Sequence, residues 1–218
     1  MYVTTVHHPE QSIADILAAG RILPVVVLDD ARAAAPLASA LLAGGLTSVE
    51  VTFRTDAAAD AIRAMAENPE LLVGAGTVLT PAQVDRAVAA GARFAVCPGF
   101  SPAVVRHCQQ VGLPVFPGAA TATEIQMALD AGLDTVKFFP AELLGGAAMV
   151  KALAAPFRAV RFIPTGGVNT GNLRDYLSVP AVLAVGGTWM VAPDLLAAGR
   201  WDEVTALTAA AVSATQGK

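Results

Sequence analysis

The 218-residue sequence predicts an α/β protein, a single (β/α)8 barrel domain over residues 1–218 with one extra N-terminal helix at about residues 9–20. Three observations carry this expectation. Eight short apolar runs of strand character alternate with helical patterns along the whole chain. They recur about every 20–28 residues with no low-complexity linker between them, as βα units of a parallel sheet do. The residues least suited to a core collect at the C-terminal ends of the apolar runs, where barrels of this kind build their sites. An open doubly wound sheet is the alternative, but the first strand ends in Asp29-Asp30 rather than in a glycine-rich turn.

Each element has a local reason. In the N-terminal helix, Ile13, Ile16 and Leu17 recur at helical spacing and Gly20 stops the helix. Residues 23–28 form the first strand, and Asp30 can cap a helix running through Leu37, Leu41 and Leu42 to Gly44-Gly45. The second strand spans 48–54, followed by a helix from Asp56 to Asn68-Pro69. The third spans 71–75; Thr80-Pro81 then joins a cap to a proline at the first helical position, and Gly91 ends the helix. Ser101-Pro102 repeats that signal after the fourth strand, 94–97, with Gly112 as the stop. The fifth strand, 113–116, precedes a helix over 121–131; the sixth, 134–139, precedes one over 147–155 that stops at Pro156. The seventh, 160–163, precedes a helix over 170–176 capped by Asn169 or Thr170. An eighth strand, 182–185, and closing helices at 193–196 and 201–213 complete the chain.

Composition narrows the function classes. The net charge is −4 and the basic residues form no run, which argues against nucleic acid as a partner. Hydrophobic residues reach 55%, much of that alanine, with no apolar stretch long enough for a bilayer and no secretory signal, so the expected location is the cytoplasm. Cys97 and Cys108 suit a reducing compartment better than a disulfide framework. His7, His8 and His107 show no metal-ligand spacing, and no metal site is expected.

One lysine breaks an apolar run, Val136-Lys137-Phe138-Phe139. Lysine is rarely buried without cause, and desolvation favours the neutral, nucleophilic amine. The plainer alternative is a strand-end lysine whose stem packs while its head reaches water. Strand alternation puts Thr135, Lys137 and Phe139 on one face, and Glu50, Thr52 and Arg54 on one face of the second strand. A carboxylate and two cations converging on one barrel mouth are costly to desolvate, which marks a candidate working site, although Glu50 paired with Lys137 or Arg54 could equally be structural. An arginine is suited to clamping a substrate carboxylate. Gly166-Gly167 follows the seventh strand and Gly186-Gly187 the eighth, flanked by Thr165 and Thr188. These are the loops where barrels often bind phosphate through backbone N–H groups, or they are tight turns needing positive φ.

Taken together, Glu50-Val51-Thr52-Phe53-Arg54-Thr55, Gly74-Ala75-Gly76-Thr77-Val78, Cys97-Pro98-Gly99, Lys137-Phe138-Phe139-Pro140-Ala141-Glu142, Pro164-Thr165-Gly166-Gly167 and Gly186-Gly187-Thr188-Trp189 resemble, in order and spacing, the 2-keto-3-deoxy-6-phosphogluconate (KDPG) aldolase family of the Entner–Doudoroff pathway, which includes 4-hydroxy-2-oxoglutarate aldolases. The similarity runs from about Ile13 to Leu207. The Arg54-Thr55 and Pro164-Thr165 pairs match the gluconate type rather than the related 6-phosphogalactonate aldolases. Cys97 and Thr188 stand where serine is usual, and Ala119-Ala120-Thr121 resembles the galactonate relatives locally.

The resemblance implies a carbon–carbon lyase of the class I type, a metal-independent homotrimer without cofactors that works through a lysine Schiff base on a phosphorylated keto acid. It implies that Lys137 forms the iminium and that Glu50 is the general acid and base. Arg54 and Thr77 would hold the pyruvyl carboxylate, and Pro98 (through its backbone) and Phe139 would shape the pocket. Thr165, Gly166, Gly167, Gly187 and Thr188 would hold the phosphate. A phosphogalactonate aldolase, a phosphate-binding barrel isomerase or decarboxylase using Lys137 only as a charge, and a non-catalytic sugar-phosphate sensor are the alternatives.

Overall fold

The computed structural model describes residues 12–216. Within them the chain runs α1 (Ile13–Gly20), β1 (Ile22–Val26), α2 (Ala34–Ala43), β2 (Ser48–Thr52), α3 (Ala58–Ala66), β3 (Leu72–Gly76), α4 (Pro81–Ala89), β4 (Phe94–Val96), α5 (Pro102–Gln110), β5 (Val115–Phe116), α6 (Ala122–Asp130), β6 (Thr135–Phe138), α7 (Gly146–Ala154), β7 (Arg161–Pro164), α8 (Leu173–Leu177), β8 (Val185–Gly187), α9 (Pro193–Ala197) and α10 (Trp201–Gln216). Short 3-10 turns at Ala31–Ala33 and Glu142–Leu144 lead into α2 and α7. The N-terminal helix is present from Ile13; its expected residues 9–11, like His7 and His8, lie outside the described residues.

The strands are parallel and close on themselves. Six pair in the order β5-β4-β3-β2-β1-β8, and β6 pairs with β7. Bridges Gly118↔Lys137 and Thr165↔Gly186 join the two groups at both seams. Ala119 N–H donates to the Lys137 carbonyl at 2.8 Å on one side, and Leu183 N–H to the Phe162 carbonyl at 2.9 Å on the other. The ring is the expected eight-stranded barrel.

Alternation along each strand divides the apolar residues into two cores. Val49, Val51, Val136, Phe138 and Val185 pack outward in the larger cluster between strands and helices. Leu23, Phe94, Val96, Phe116 and Ile163 fill the barrel interior, and Leu17 of α1 packs with them, so the extra helix plugs one end. Gly74 leaves room for this filling: a Cβ there would lie 2.2 Å from the Phe94 ring. The barrel interior is therefore filled towards the α1 end, and the opposite mouth, at the C-terminal ends of the strands, is where barrels of this kind place their chemistry.

Helix starts follow the sequence signals. Thr80 and Gln83 form a reciprocal capping box with Pro81 in the first turn of α4, Thr121 and Glu124 do the same for α6, and Ser101 caps α5. Among the described residues no helix is long and apolar enough to cross a membrane.

Three expectations are corrected. The eighth strand is Val185–Gly187, not 182–185, because Gly186 and Gly187 continue the ladder opposite Leu23 and Pro24. Val182 makes only an isolated bridge to Phe162. The eighth helix starts at Leu173 with Asn172 at the cap position and no side-chain cap bond. Asn169 instead accepts from the Gly171 N–H at 2.8 Å, making a turn rather than a cap. The second strand also stops at Thr52, so Arg54 lies on the following loop.

Candidate active site

Lys137 sits mid-strand in β6, opposite Ile163 of β7, its N–H bonded to the Pro117 carbonyl at 2.8 Å. Its side chain is 5% exposed and turns into the barrel, where Nζ lies 3.1 Å from Oε1 of Glu50. Glu50, mid-strand in β2 opposite Gly74, is 1% exposed. Sequence alternation predicts this convergence, and the partner is Lys137 rather than Arg54. The carboxylate fits because Gly76 lacks a side chain: a Cβ there would stand 2.3 Å from Glu50 Oε1. A pair this deeply buried is expensive to desolvate and retains its position only through mutual satisfaction. The ammonium end also faces the Phe139 ring, 5.4 Å from its centroid.

Above the pair opens a cavity of about 330 Å3. Arg54, Thr77, Pro98, Lys137, Phe139, Thr165, Gly166, Gly167, Gly187 and Thr188, ten residues singled out in the sequence, all line it, and Glu50 lies directly behind Lys137. Arg54 is exposed on the lip and has no ion-pair partner among the described residues. Thr77 adopts φ +54°, a left-handed conformation that a β-branched residue rarely takes. Strain of this kind collects at binding sites, where the surrounding structure imposes it.

The opposite wall is made of glycine. Gly166 and Gly167 have φ +97° and +82°. Gly186 and Gly187 do not have positive φ; close packing excludes their side chains instead. A Cβ on Gly186 would fall 2.2 Å from Thr165 Oγ1, and one on Gly187 1.8 Å from the Trp189 ring. The tight-turn reading thus holds for the first pair and fails for the second. Thr165, Gly166, Gly167, Gly187 and Thr188 form this side of the cavity, where backbone amides suit an anion without a lysine; the Thr165 hydroxyl donates to the Ile163 carbonyl at 3.3 Å.

Val25 and Val168 also line the cavity and were not singled out, and so do Thr52 and Gly186, which the sequence placed on the inward strand face and in a glycine pair without a role of their own. Thr52 spends its hydroxyl on the Val26 carbonyl at 2.9 Å, tying β2 to β1 below the mouth. Val25 was legible from strand alternation, since it shares the inward face of β1 with Leu23; Val168 lies in a loop and carried no signal.

The remaining reactive side chains stay outside this chemistry. Cys97 and Cys108 are free and buried. Burial, with the neighbouring Cys108 adding to it, pushes the Cys97 thiol up to about 12; burial alone pushes Cys108 up to about 11. Neither is a nucleophile near neutral pH. His107 pairs with Asp85 at 2.7 Å between α5 and α4. Among the described residues no group of three His, Cys, Asp or Glu could hold a metal ion.

The chain is similar to known proteins over nearly its whole length. The family model described as KDPG and KHG aldolase matches residues 13–207. A 2-dehydro-3-deoxy-phosphogluconate aldolase of Treponema pallidum is 54% identical over 90% of this chain and 94% of its own length. A KHG/KDPG aldolase of Escherichia coli K12 is 46% identical over 92% and 95%. Among solved structures, a Legionella pneumophila KDPG aldolase, with pyruvate captured at low pH as a covalent carbinolamine intermediate, superposes with a TM-score of 0.87 at 41% identity, covering 90% of this chain and 96% of that one. With the match spanning the barrel from α1 to α10 and a lysine–glutamate pair buried at its open end, the chain belongs to the KDPG and KHG aldolase family.

Proposed function

We propose that the protein is a class I aldolase that cleaves 2-dehydro-3-deoxy-6-phosphogluconate to pyruvate and glyceraldehyde 3-phosphate, the cleavage step of the Entner–Doudoroff pathway. The observation that carries this reading is the buried contact, 3.1 Å, between an amine and a carboxylate at the floor of a cavity with a cationic lip on one side and a glycine wall on the other. A sensor gains nothing from a proton shuttle beside its lysine.

The geometry orders the steps. Arg54 and Thr77 take the substrate carboxylate, and the glycine wall takes the phosphate, so the C2 ketone is presented over β6. The Lys137 amine attacks C2. Glu50 relays protons as the carbinolamine forms and loses water to give the iminium. Glu50 then removes the C4 hydroxyl proton; the C3–C4 bond breaks, and its electron pair moves into the iminium to give an enamine. Glyceraldehyde 3-phosphate leaves, C3 is protonated, and water hydrolyses the pyruvyl iminium to restore the amine. The iminium is the electron sink, the role a Lewis-acid metal would otherwise fill. Phe139 covers the reacting face.

The Escherichia coli relative is named for both substrates, which supports 4-hydroxy-2-oxoglutarate as a second substrate here. Ala119, Ala120 and Thr121, the segment that resembles galactonate enzymes, line no part of the cavity, and Thr121 works as the α6 cap, which favours the gluconate epimer. The resemblance supports a homotrimer, which light scattering checks.

A coupled assay for pyruvate tests the reading. The expected outcome is release from the gluconate epimer at a rate unchanged by EDTA. Equal or faster release from the galactonate epimer would shift the assignment to that enzyme, and no release from either would contradict it.

A further inference from the structure

Behind the glycine wall lies a polar cluster that the steps above do not use. Glu142 begins the turn after β6. Its backbone N–H donates to the Gly166 carbonyl at 3.0 Å, and its side chain packs so closely on Gly167 that a Cβ there would lie 2.5 Å from the Glu142 Cβ. The carboxylate points away from the cavity: Oε2 accepts from Asn172 Nδ2 at 2.7 Å and from the Tyr176 hydroxyl at 2.9 Å. Asn172 Nδ2 also donates to the Gly167 carbonyl at 3.0 Å, and Asn169 Nδ2 donates to the same oxygen at 3.2 Å. Burial first, and the carboxylate second, push the Tyr176 phenol well above its ordinary range, so it stays a donor.

The carbonyls of Gly166 and Gly167 are thus both tied down on the side away from the cavity. Peptide planarity then turns the N–H groups of Gly167 and Val168 the other way. Neither has a hydrogen-bond acceptor among the described residues, and both residues line the cavity. Two consecutive left-handed glycines are the most freely moving backbone available. Without an outside constraint their amides would not be preorganised for an anion.

We propose that Glu142, Asn172 and Tyr176 form a positioning brace that aims the Gly167 and Val168 amides at the substrate phosphate and thereby sets the preference for phosphorylated over phosphate-free aldols. The proposal rests on the reading of the glycine wall as the phosphate seat.

Steady-state kinetics on 2-dehydro-3-deoxy-6-phosphogluconate and on 4-hydroxy-2-oxoglutarate test it, for the wild type and for Asn172→Ala, Glu142→Gln and Tyr176→Phe, with circular dichroism to confirm folding. Losing the hydrogen bonds to the Gly167 carbonyl and from the Asn169 N–H is expected to raise KM for the phosphorylated substrate about five- to tenfold in Asn172→Ala, with kcat within about twofold. KM for 4-hydroxy-2-oxoglutarate and the rate of borohydride trapping with pyruvate are expected to stay within about twofold. Glu142→Gln keeps the packing on Gly167 and is expected to move in the same direction by less; it and Tyr176→Phe carry the test if Asn172→Ala does not fold. Equal changes for both substrates would reduce the brace to a structural role and overturn the proposal, as would no change for either. A wild type that does not discriminate between the substrates would instead refute the phosphate seat itself, and the brace with it.

Discussion

Glu50 and Lys137 depend on each other. Each is almost fully buried, and the contact between them satisfies groups that would otherwise be stranded in the barrel. In the proposed mechanism the carboxylate also moves protons at C2 and at the C4 hydroxyl. Glu50→Gln keeps the shape and a hydrogen-bonding end but removes the base. Its kcat is expected to fall by about 10²–10⁴-fold, the usual range for loss of a positioned acid–base group. Stopped-flow pyruvate detection measures it, and a kcat within about threefold of wild type would remove Glu50 from the proton relay. The two thiols present a contrast. Cys97 lies near the pair, yet burial holds it in the neutral form, so it serves packing.

At the scale of the elements, the alternation of side chains along each strand makes the inward-facing residues legible in the sequence. Glu50 and Lys137 are 87 residues apart, yet the period of two in β2 and β6 placed both in the barrel interior. The same reasoning fell short where the residue type hid the element. Strand β8 contains Gly186 and Gly187, which read as a loop because glycine has low strand preference, whereas the close approach of Thr165 and Trp189 demands it there. The brace around Glu142 was also out of reach, since Asn172 and Tyr176 stand 30 and 34 residues away on the loop and helix after β7, with no periodicity linking them. Gly76 of β3 shows how one element positions the side chain of another. Gly76→Ala would put a methyl 2.3 Å from Glu50 Oε1 and force the carboxylate off its position. The expected result is a folded barrel with kcat lowered about 10²-fold, as misplacements near 1 Å cost. A folded variant of unchanged kcat would show that the carboxylate tolerates displacement.

The whole molecule divides labour between its ends. Leu17 of α1 and the aromatic pair Phe94 and Phe116, 5.8 Å apart edge to face, make one end solid. The other holds a cavity with Arg54 and Thr77 beside β2 and β3, the glycine wall beside β7 and β8, and Lys137 between them on β6. This plan follows from eight parallel strands all ending on one face, and that much was readable from the spacing of apolar runs and the residues at their ends. The central claim is that the barrel presents a single amine to a ketone. Incubation with pyruvate and sodium borohydride, followed by peptide mass spectrometry, tests it most directly. The expected result is one stable pyruvyl adduct located on Lys137, lost in Lys137→Ala. No adduct, or an adduct on Lys151 that persists in Lys137→Ala, would contradict it.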